Sequence, residues 1–275
     1  MLINCKGSLV DLSSPKVMGI LNVTPNSFYD GGKFQQQDLA LQQVEKMLNE
    51  GADFIDIGAC STKPDAEFVS ESEEKSRLLP ILQSIAKEFP EALISVDTFR
   101  AAVAEMAVEE GVAMVNDVSA GNLDAQMMIT VAKLQVPYIM MHSRGDAATM
   151  QGLTNYEDLM KDILFYFSQK VAMARSLGIH DLVVDPGFGF AKTLSQNYHL
   201  LKNLSLLKML ELPILAGVSR KSMVYKYLDI SPNDALNGTT VLNTLALTEG
   251  AHILRVHDVK AAVETVRLYS QFKNS

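Results

Sequence analysis

Residues 38–59 have the sequence DLALQQVEKMLNEGADFIDIGA, in which a helical segment is followed by a short apolar run. Within Asp38–Glu50 the apolar residues share one face at helical spacing, which predicts an amphipathic helix. These residues are Leu41, Val44, Met47 and Leu48. Gly51 then offers the left-handed conformation in which helices commonly end. Phe54–Ile57 follows as an apolar run bounded by turn residues, which predicts a buried strand.

The same alternation of apolar run and helical segment continues along the chain. The predicted strands are Val17–Leu21, Phe54–Ile57, Leu93–Val96, Ala113–Val115, Pro137–Met141, Leu182–Val184, Pro213–Val218 and His252–Val256. Besides Asp38–Glu50, the predicted helices are one that starts at Ser70, and Arg100–Glu110, Asp124–Leu134, Glu157–Leu177, Asn233–Thr248 and Lys260–Phe272.

Strands that alternate with helices indicate a parallel sheet, because parallel neighbours cannot be joined by a tight turn. Eight such repeats in about 250 residues predict an α/β fold of the (β/α)8 TIM-barrel type. An open doubly wound sheet is the alternative, but no GxGxxG motif follows the first strand. Residues 2–12, around the Lys6-Gly7 turn, predict a short N-terminal hairpin that closes the bottom of the barrel. No linker is visible, so residues 1–275 are expected to form a single domain.

Composition narrows the class of protein. The chain has 275 residues, 48% of them hydrophobic, and a net charge of −8, so neither intrinsic disorder nor a nucleic-acid partner is expected. No apolar stretch approaches the roughly 20 residues that span a bilayer, so no membrane association is expected. The two cysteines, Cys5 and Cys60, lie far apart in sequence, which favours a reducing, cytoplasmic location.

Polar residues lie at the end of every predicted strand or directly after it. They are Asn22; Asp56 with Ser61-Thr62-Lys63; Asp97; Asn116-Asp117; His142; Asp185; Ser219-Arg220-Lys221; and Arg255 with His257. In a barrel the carboxyl ends of the strands converge, and this is where active sites of such barrels lie. Helix capping or turn formation would explain any one of these residues. Their presence at all eight ends indicates an active site, with His142 expected as a hydrogen-bonded wall residue.

These strand-end residues divide into two sets by chemistry. The carboxylate–amide set (Asp97, Asn116 and Asp185) is suited to a flat polar heterocycle, because a carboxylate accepts paired N–H donors. The anion-binding set is suited to phosphate, carboxylate or developing negative charge. It comprises Lys63, Lys221, Arg255 and His257, with the amide of Asn22. A substrate that carries a heterocycle at one end and a phosphate leaving group at the other would satisfy both sets.

Motifs at all eight strand ends together resemble dihydropteroate synthase. They are Met18-Gly-Ile-Leu-Asn-Val-Thr-Pro-Asn-Ser-Phe-Tyr-Asp-Gly-Gly32, Asp56-Ile-Gly58, Ser95-Val-Asp-Thr98, Asn116-Asp-Val118, Met141-His-Ser-Arg-Gly145, Asp185-Pro-Gly-Phe-Gly-Phe190, Gly217-Val-Ser-Arg-Lys-Ser222 and Arg255-Val-His-Asp-Val259. The resemblance implies a transferase of folate biosynthesis, in which 4-aminobenzoate displaces pyrophosphate from 6-hydroxymethyl-7,8-dihydropterin diphosphate to give 7,8-dihydropteroate. Loss of the diphosphate ahead of amine attack, an SN1-like course, fits the charges of the two sets.

The resemblance also implies roles for individual residues. The pterin would be held by Asp97, Asn116, Asp185 and Lys221. The diphosphate would be held by Asn22, Lys63, Arg255 and His257, with Mg²⁺ between it and Asn22. The aminobenzoate pocket would comprise Thr62, Lys63, Pro64, Phe190, Lys221 and Ser222. Catalysis would rest on Asp97, Asp185, Lys221, Arg255 and His257, and the family resemblance implies a homodimer formed through barrel helices.

Two loops deserve separate expectations. Residues 26–32, with two aromatic residues and a glycine pair, are predicted to form a lid over the ligand. The loop Gly58-Ala-Cys-Ser-Thr-Lys-Pro-Asp65 departs from the usual Gly-Gly-Glu-Ser-Thr-Arg-Pro-Gly. Because Lys63 lacks the planar fork of arginine and Asp65 adds a carboxylate, weaker aminobenzoate binding is a hypothesis. A pterin-dependent methyltransferase domain and a non-catalytic pterin-binding paralogue are the alternative functions.

Overall fold

The structure, a computed structural model, describes residues 1–23, 33–60, 69–146 and 149–275, without the side chains of residues 33–36 and 151. Its centre is a sheet of eight parallel strands within the described part of the chain. They are β3 (Lys16–Asn22), β4 (Phe54–Gly58), β5 (Ile94–Asp97), β6 (Met114–Asp117), β7 (Tyr138–Met141), β8 (Leu182–Asp185), β9 (Leu215–Ala216) and β10 (Ile253–Val256). Two preceding strands, β1 (Leu2–Cys5) and β2 (Ser8–Asp11), form an antiparallel hairpin.

The eight-stranded sheet closes on itself. Its order is β8-β7-β6-β5-β4-β3-β10-β9, and a parallel bridge between Val184 and Ile214 joins β8 to the segment before β9. The Val184 amide donates to the Pro213 carbonyl at 3.0 Å across the same junction. The predicted (β/α)8 barrel is therefore confirmed, and the open doubly wound alternative is excluded.

Helices occupy the intervals between the strands. Their bounds are α1 (Lys33–Asn49), α2 (Glu71–Glu88), α3 (Ala101–Glu109), α4 (Met127–Leu134), α5 (Leu159–Ser176), α6 (Leu194–Lys202), α7 (Ser222–Leu228), α8 (Leu236–Thr248) and α9 (Val259–Lys273). The seven predicted helices are all present, with ends that differ by a few residues. Helices α6 and α7 were not predicted. None of the helices in the described ranges is long and apolar enough to cross a membrane.

An apolar layer fills the lower interior of the barrel. It includes Phe54, Met114, Val183 and Ile253, each at or near the start of its strand. Three hairpin residues pack against this layer, namely Ile3, Cys5 and Leu12. The hairpin therefore closes the N-terminal end, as the sequence predicted.

Strand alternation places polar side chains directly above this apolar layer. Side chains two residues apart on a strand point to the same face. Two residues beyond each inward apolar residue stand Asp56 after Phe54, Asn116 after Met114, Asp185 after Val183 and Arg255 after Ile253. The intervening residues, such as Val115, Val184 and Leu254, belong to the larger core between sheet and helices. A charged layer thus forms the C-terminal end of the barrel interior.

Candidate active site

Arg255 connects three strands at the centre of the charged layer. Its Nε donates to Asp56 Oδ2 at 2.6 Å and its Nη2 donates to Asp97 Oδ2 at 2.7 Å. Asn116 Nδ2 also donates to Asp56 Oδ2, at 2.9 Å. Burial alone would lower the pKa of Arg255, but the two carboxylates raise it above its ordinary value. The guanidinium therefore stays charged and is fixed by two carboxylates.

The two carboxyl groups of the carboxylate–amide set are both difficult to ionise. Burial raises the pKa of Asp97 to about 7, although Arg255 opposes the shift. Burial also raises the pKa of Asp185, opposed by Lys221 and by the Gly187 amide, which donates to Asp185 Oδ1 at 2.8 Å. A ligand that brings positive charge or N–H donors to these oxygens would favour their ionised forms.

Lys221 and Phe190 lie together beside this set. The Lys221 ammonium is 4.7 Å from the centroid of the Phe190 ring, and it donates a hydrogen bond to the Phe188 carbonyl. Burial lowers the pKa of Lys221 to about 8, although Asp185 opposes the shift. Ser222 follows as the first residue of α7 and is half-buried. The ammonium, the aromatic ring and the start of α7 form one side of the barrel opening.

His257 acts as a neutral ring in the unliganded protein. Its backbone amide donates to Ser219 Oγ at 3.2 Å, and the same hydroxyl lies 3.1 Å from His257 Nδ1. The hydroxyl can donate its proton to Nδ1, which leaves Nε2–H as the free donor of the ring. Partial desolvation and the charge of Arg255 lower the pKa of His257 to about 4. His257 can therefore bind an anion as a hydrogen-bond donor.

Two strand-end residues serve the fold and lie outside the charged layer. Arg220 donates from Nε and Nη2 to the two carboxylate oxygens of Asp258, at 2.9 and 2.8 Å. Asp117 Oδ2 accepts from the Tyr138 hydroxyl at 2.7 Å and from the Gly121 amide at 2.6 Å. Asp117 follows the inward residue Asn116 on β6 and therefore points to the opposite face. The prediction that all strand-end polar residues converge is corrected at these two positions.

Asn22 ends β3 with an exposed side chain, in register with Gly58. Within the described residues, no group of three or more His, Cys, Asp or Glu side chains is arranged to hold a metal ion. A single amide oxygen cannot hold Mg²⁺ alone, but Mg²⁺ keeps several water ligands and commonly shares substrate phosphates. The residues present therefore fit an ion that arrives with a bound diphosphate.

Several predicted residues lie outside the part of the chain that the structure describes. They are Thr62, Lys63, Pro64, Asp65 and residues 26–32. The predicted lid and the unusual second loop therefore stay predictions.

Lys192 is a further residue of this region that the sequence did not indicate. Its buried ammonium lies 3.0 Å from His142 Nδ1 and donates to the carbonyls of Gly187 and Phe190, each at 3.0 Å. Burial lowers the pKa of Lys192 to about 7. His142 is a hydrogen-bonded wall residue, as predicted, and Lys192 holds the turn that carries Phe190. No periodic pattern in the sequence marks this lysine.

The chain is similar to known proteins along almost its whole length. A family profile described as "Pterin binding enzyme" matches residues 18–257. Dihydropteroate synthase of Synechocystis is 44% identical over 92% of this chain and 88% of its own length. Among solved structures, Yersinia pestis dihydropteroate synthase in a sulfonamide drug complex has a TM-score of 0.94 and 41% identity, covering all of both chains. Xanthomonas albilineans dihydropteroate synthase with 4-aminobenzoic acid has a TM-score of 0.93 and 35% identity, covering 100% of this chain and 98% of that one.

Proposed function

The chain belongs to the dihydropteroate synthase family, and we propose that it condenses 6-hydroxymethyl-7,8-dihydropterin diphosphate with 4-aminobenzoate. The products are 7,8-dihydropteroate and pyrophosphate. The observation that carries this proposal is the charged layer, in which Asp97, Asn116 and Asp185 lie at the same barrel end as Arg255 and Lys221. A pterin with a charged leaving group matches both kinds of side chain.

The carboxylate–amide set would bind the heterocycle. A carboxylate next to an amino-pyrimidine edge accepts two parallel N–H bonds, which suits Asp185, the last residue of β8. Asn116 would supply a further amide contact from β6, and Asp97 would face the ring from β5. The Lys221 ammonium would contribute a donor from the α7 side. Because these groups lie on different strands, they would fix the orientation of a planar ring.

The residues of the anion-binding set would stabilise the departing diphosphate. His257 offers a ring N–H, and Arg255 offers a charged guanidinium above the carboxylates that it already contacts. Asn22 and Lys63 are proposed as further contacts. Asn22 would help to hold Mg²⁺, which would supply positive charge to offset the negative charge of the leaving group.

We propose that the C–O bond breaks ahead of amine attack. The diphosphate leaves with the bonding electron pair, and the dihydropterin methylene carries the resulting positive charge. The amine lone pair of 4-aminobenzoate then forms the C–N bond, and the amine loses a proton to solvent. Asp97 and Asp185 would favour the cationic heterocycle while the anion-binding set favours the leaving group. No nucleophilic side chain is needed for this course.

The aminobenzoate would bind at the outer rim. Phe190 and Lys221 are already in contact there, and a carboxylate would be attracted by the ammonium. Ser222 at the start of α7 would add a hydroxyl donor. Thr62, Lys63 and Pro64 are proposed to complete this pocket from the second loop.

A homodimer is proposed through α8 and α9. These adjacent helices expose four large apolar side chains, a feature that marks interaction surfaces. The side chains are Val241, Leu245, Leu268 and Phe272, which are 47–79% exposed. Light scattering after gel filtration is expected to give a dimer mass, and Phe272→Glu should shift it to the monomer. A cytoplasmic location is also proposed, supported by the unpaired Cys5 and Cys60.

The synthase is tested by following pyrophosphate release from the dihydropterin diphosphate and Mg²⁺, with and without 4-aminobenzoate. Release that depends on 4-aminobenzoate, with dihydropteroate formed in equal amount, is the expected result. Lys221→Met should abolish it, while Lys226→Met, at an exposed position of the helix that follows Lys221, should not. Dihydropterin binding without release would indicate the non-catalytic paralogue. Methyl transfer from methyltetrahydrofolate to a corrinoid would indicate the methyltransferase.

A further inference from the structure

Asp56 is a fully buried carboxylate that has no role in the reaction as described above. Its Oδ2 accepts from Asn116 Nδ2 at 2.9 Å and from Arg255 Nε at 2.6 Å. Its Oδ1 is buried and has no hydrogen-bond partner among the described residues. Asp56 therefore contacts one member of each set while lying one strand away from Asp97.

The contact with Asp56 determines which way the Asn116 amide is turned. A side-chain amide has two orientations that are close in shape, and its hydrogen-bond partners select between them. Asp56 Oδ2 already accepts from the Arg255 guanidinium, and an ionised carboxylate has only acceptors. Asn116 must therefore direct its NH2 group to Asp56. Its Oδ1, on the other branch of the amide, makes no hydrogen bond within the described residues and is left as an acceptor for a ligand.

The contact with Asp56 also fixes the plane of the Arg255 guanidinium. Nε is held by Asp56 on β4 and Nη2 by Asp97 on β5. A planar group held at two nitrogens by two separate strands cannot rotate about its side-chain axis. Arg255 is therefore presented to a ligand in one orientation.

We propose that Asp56 is a positioning residue for pterin recognition, which orients the Asn116 amide as an acceptor and fixes the Arg255 guanidinium against Asp97. This inference rests on the proposed function and deepens it. A carboxylate whose second oxygen is buried without a partner costs folding stability. Such a group is explained when the oxygen that is paired organises a binding site.

The test is Asp56→Asn in the full-length protein. Asparagine matches the volume of aspartate but carries no charge, so its oxygen accepts weaker hydrogen bonds from Arg255 Nε and Asn116 Nδ2 and holds both side chains less firmly. The dissociation constant of 6-hydroxymethyl-7,8-dihydropterin, measured by titration calorimetry, is expected to rise roughly tenfold or more. The KM for the dihydropterin diphosphate should rise similarly, while the KM for 4-aminobenzoate stays within about twofold.

Ser95→Ala is the matched control. Ser95 on β5 lies in register with Asp56 on β4, and the two residues are equally buried. The Ser95 hydroxyl has no hydrogen-bond partner among the described residues. It makes no hydrogen bond to Asn116 or Arg255, so the dihydropterin dissociation constant should stay within about twofold. A smaller change in this control than in Asp56→Asn attributes the effect to the contacts of Asp56.

A pH profile separates positioning from general damage. Besides burial, the groups that act on Asp97 are Arg255, which lowers its pKa, and Asp56, Glu74 and Asp117, which raise it. Removing the charge of Asp56 therefore lowers the pKa of Asp97, and Arg255 is left with Asp97 as its carboxylate partner. The acidic limb of dihydropterin binding should move to lower pH in Asp56→Asn and stay in place in Ser95→Ala.

A second set of variants shows whether Asp56 acts through Asn116. Asn116→Ala leaves Asp56 in place and removes the amide oxygen that Asp56 is proposed to present, so it should weaken dihydropterin binding. In the double variant Asp56→Asn/Asn116→Ala, the further loss of affinity should be smaller than the loss that Asp56→Asn causes in the wild-type protein. Additive losses would show that Asp56 does not act through Asn116.

Three outcomes overturn the proposal. They are an unchanged dihydropterin dissociation constant in Asp56→Asn, an equal loss of affinity for dihydropterin and 4-aminobenzoate with a matching fall in Tm, and additive losses of affinity in the double variant. A failure of the proposed function would give a different experimental result. Wild-type protein would then bind dihydropterin without releasing pyrophosphate from its diphosphate, and the effect of Asp56→Asn on that binding would still decide the inference.

Discussion

Replacing Arg255 by alanine tests whether pterin and diphosphate binding are separable. If the carboxylate–amide set and the anion-binding set were independent, Arg255→Ala would weaken diphosphate binding alone. In the structure one guanidinium donates to Asp56 and Asp97, whose side chains are 0% and 13% exposed. Arg255→Ala therefore leaves two buried carboxylates without their cation, and one of them, Asp97, belongs to the carboxylate–amide set.

The magnitude follows from these contacts. Breaking a buried ion pair by removing one partner costs about 3–5 kcal/mol of unfolding free energy. For a chain of this length that corresponds to a Tm lowered by roughly 5–9 °C. If Asp97 loses its ionised form or its orientation, the pterin site loses about one charged hydrogen bond, or roughly 1.5–3 kcal/mol. The dissociation constant of dihydropterin without its diphosphate should then rise roughly 10- to 100-fold.

Titration calorimetry with dihydropterin and with its diphosphate measures both affinities, and scanning calorimetry measures Tm. Arg220→Ala is the matched control, because Arg220 forms a bidentate pair with Asp258 that is 26% and 23% exposed and lies outside the charged layer. A pair this accessible to solvent contributes about 1 kcal/mol or less. The dihydropterin affinity of Arg220→Ala should stay within about twofold of wild type. If Arg255→Ala weakens the diphosphate alone and leaves dihydropterin affinity unchanged, the link between the sets is refuted.

Three further predictions address other parts of the site. Asp185→Asn should weaken dihydropterin binding by about 1–3 kcal/mol, measured by calorimetry. An unchanged dissociation constant would show that Asp185 does not bind the pterin. Gly187→Ala should lower Tm and activity, because Gly187 has a φ of +70° and an added Cβ would lie 2.1 Å from the His142 carbonyl oxygen. Gly178→Ala is the control and should lower Tm less, because Gly178 has a φ of +86° but no atom within 4 Å of the added Cβ. The kcat/KM for dihydropterin diphosphate should rise with pH through about 7 as Asp97 ionises and fall above about 8 as Lys221 loses its proton. Lys221→Arg should move the alkaline limb of this profile to higher pH, and a limb that does not move would exclude Lys221 as its source.

The barrel could be predicted from the sequence because its strands are apolar and its longer helices amphipathic. Helices α6 and α7, of nine and seven residues, were missed, although α3 and α4, of nine and eight residues, were predicted, so length alone does not explain the omission. Helix α6 does carry a local mark, since Thr193 and Gln196 form a reciprocal capping box at its start. Capping signals therefore identify short helices that periodicity does not.

The direction of each strand-end side chain was harder to predict than its presence. Asp97 and Asp117 both end strands, yet Asp97 contacts Arg255 inside the barrel while Asp117 bonds to Tyr138 on the other face. The difference arises because side chains alternate between the two faces of a strand, so an inward residue is followed two positions later by another inward residue. The alternation can be assigned only when the position of one inward residue, such as Met114, is known. Arg220 escaped prediction for another reason, since its partner Asp258 follows a different strand.

The unfavourable ionisation of the site is what suits it to a reaction that separates charge. Burial disfavours the ionised forms of Asp97 and Asp185 and the charged form of Lys221 in the unliganded protein. Positive charge that develops on the dihydropterin would favour the ionised carboxylates, and negative charge on the departing diphosphate would favour the protonated lysine. By linkage, the same interactions bind the charge-separated state more tightly than the uncleaved substrate, and only such a difference lowers the barrier. The cost of burying these groups is therefore offset during the reaction, while the apolar layer beneath them maintains the barrel when no ligand is bound.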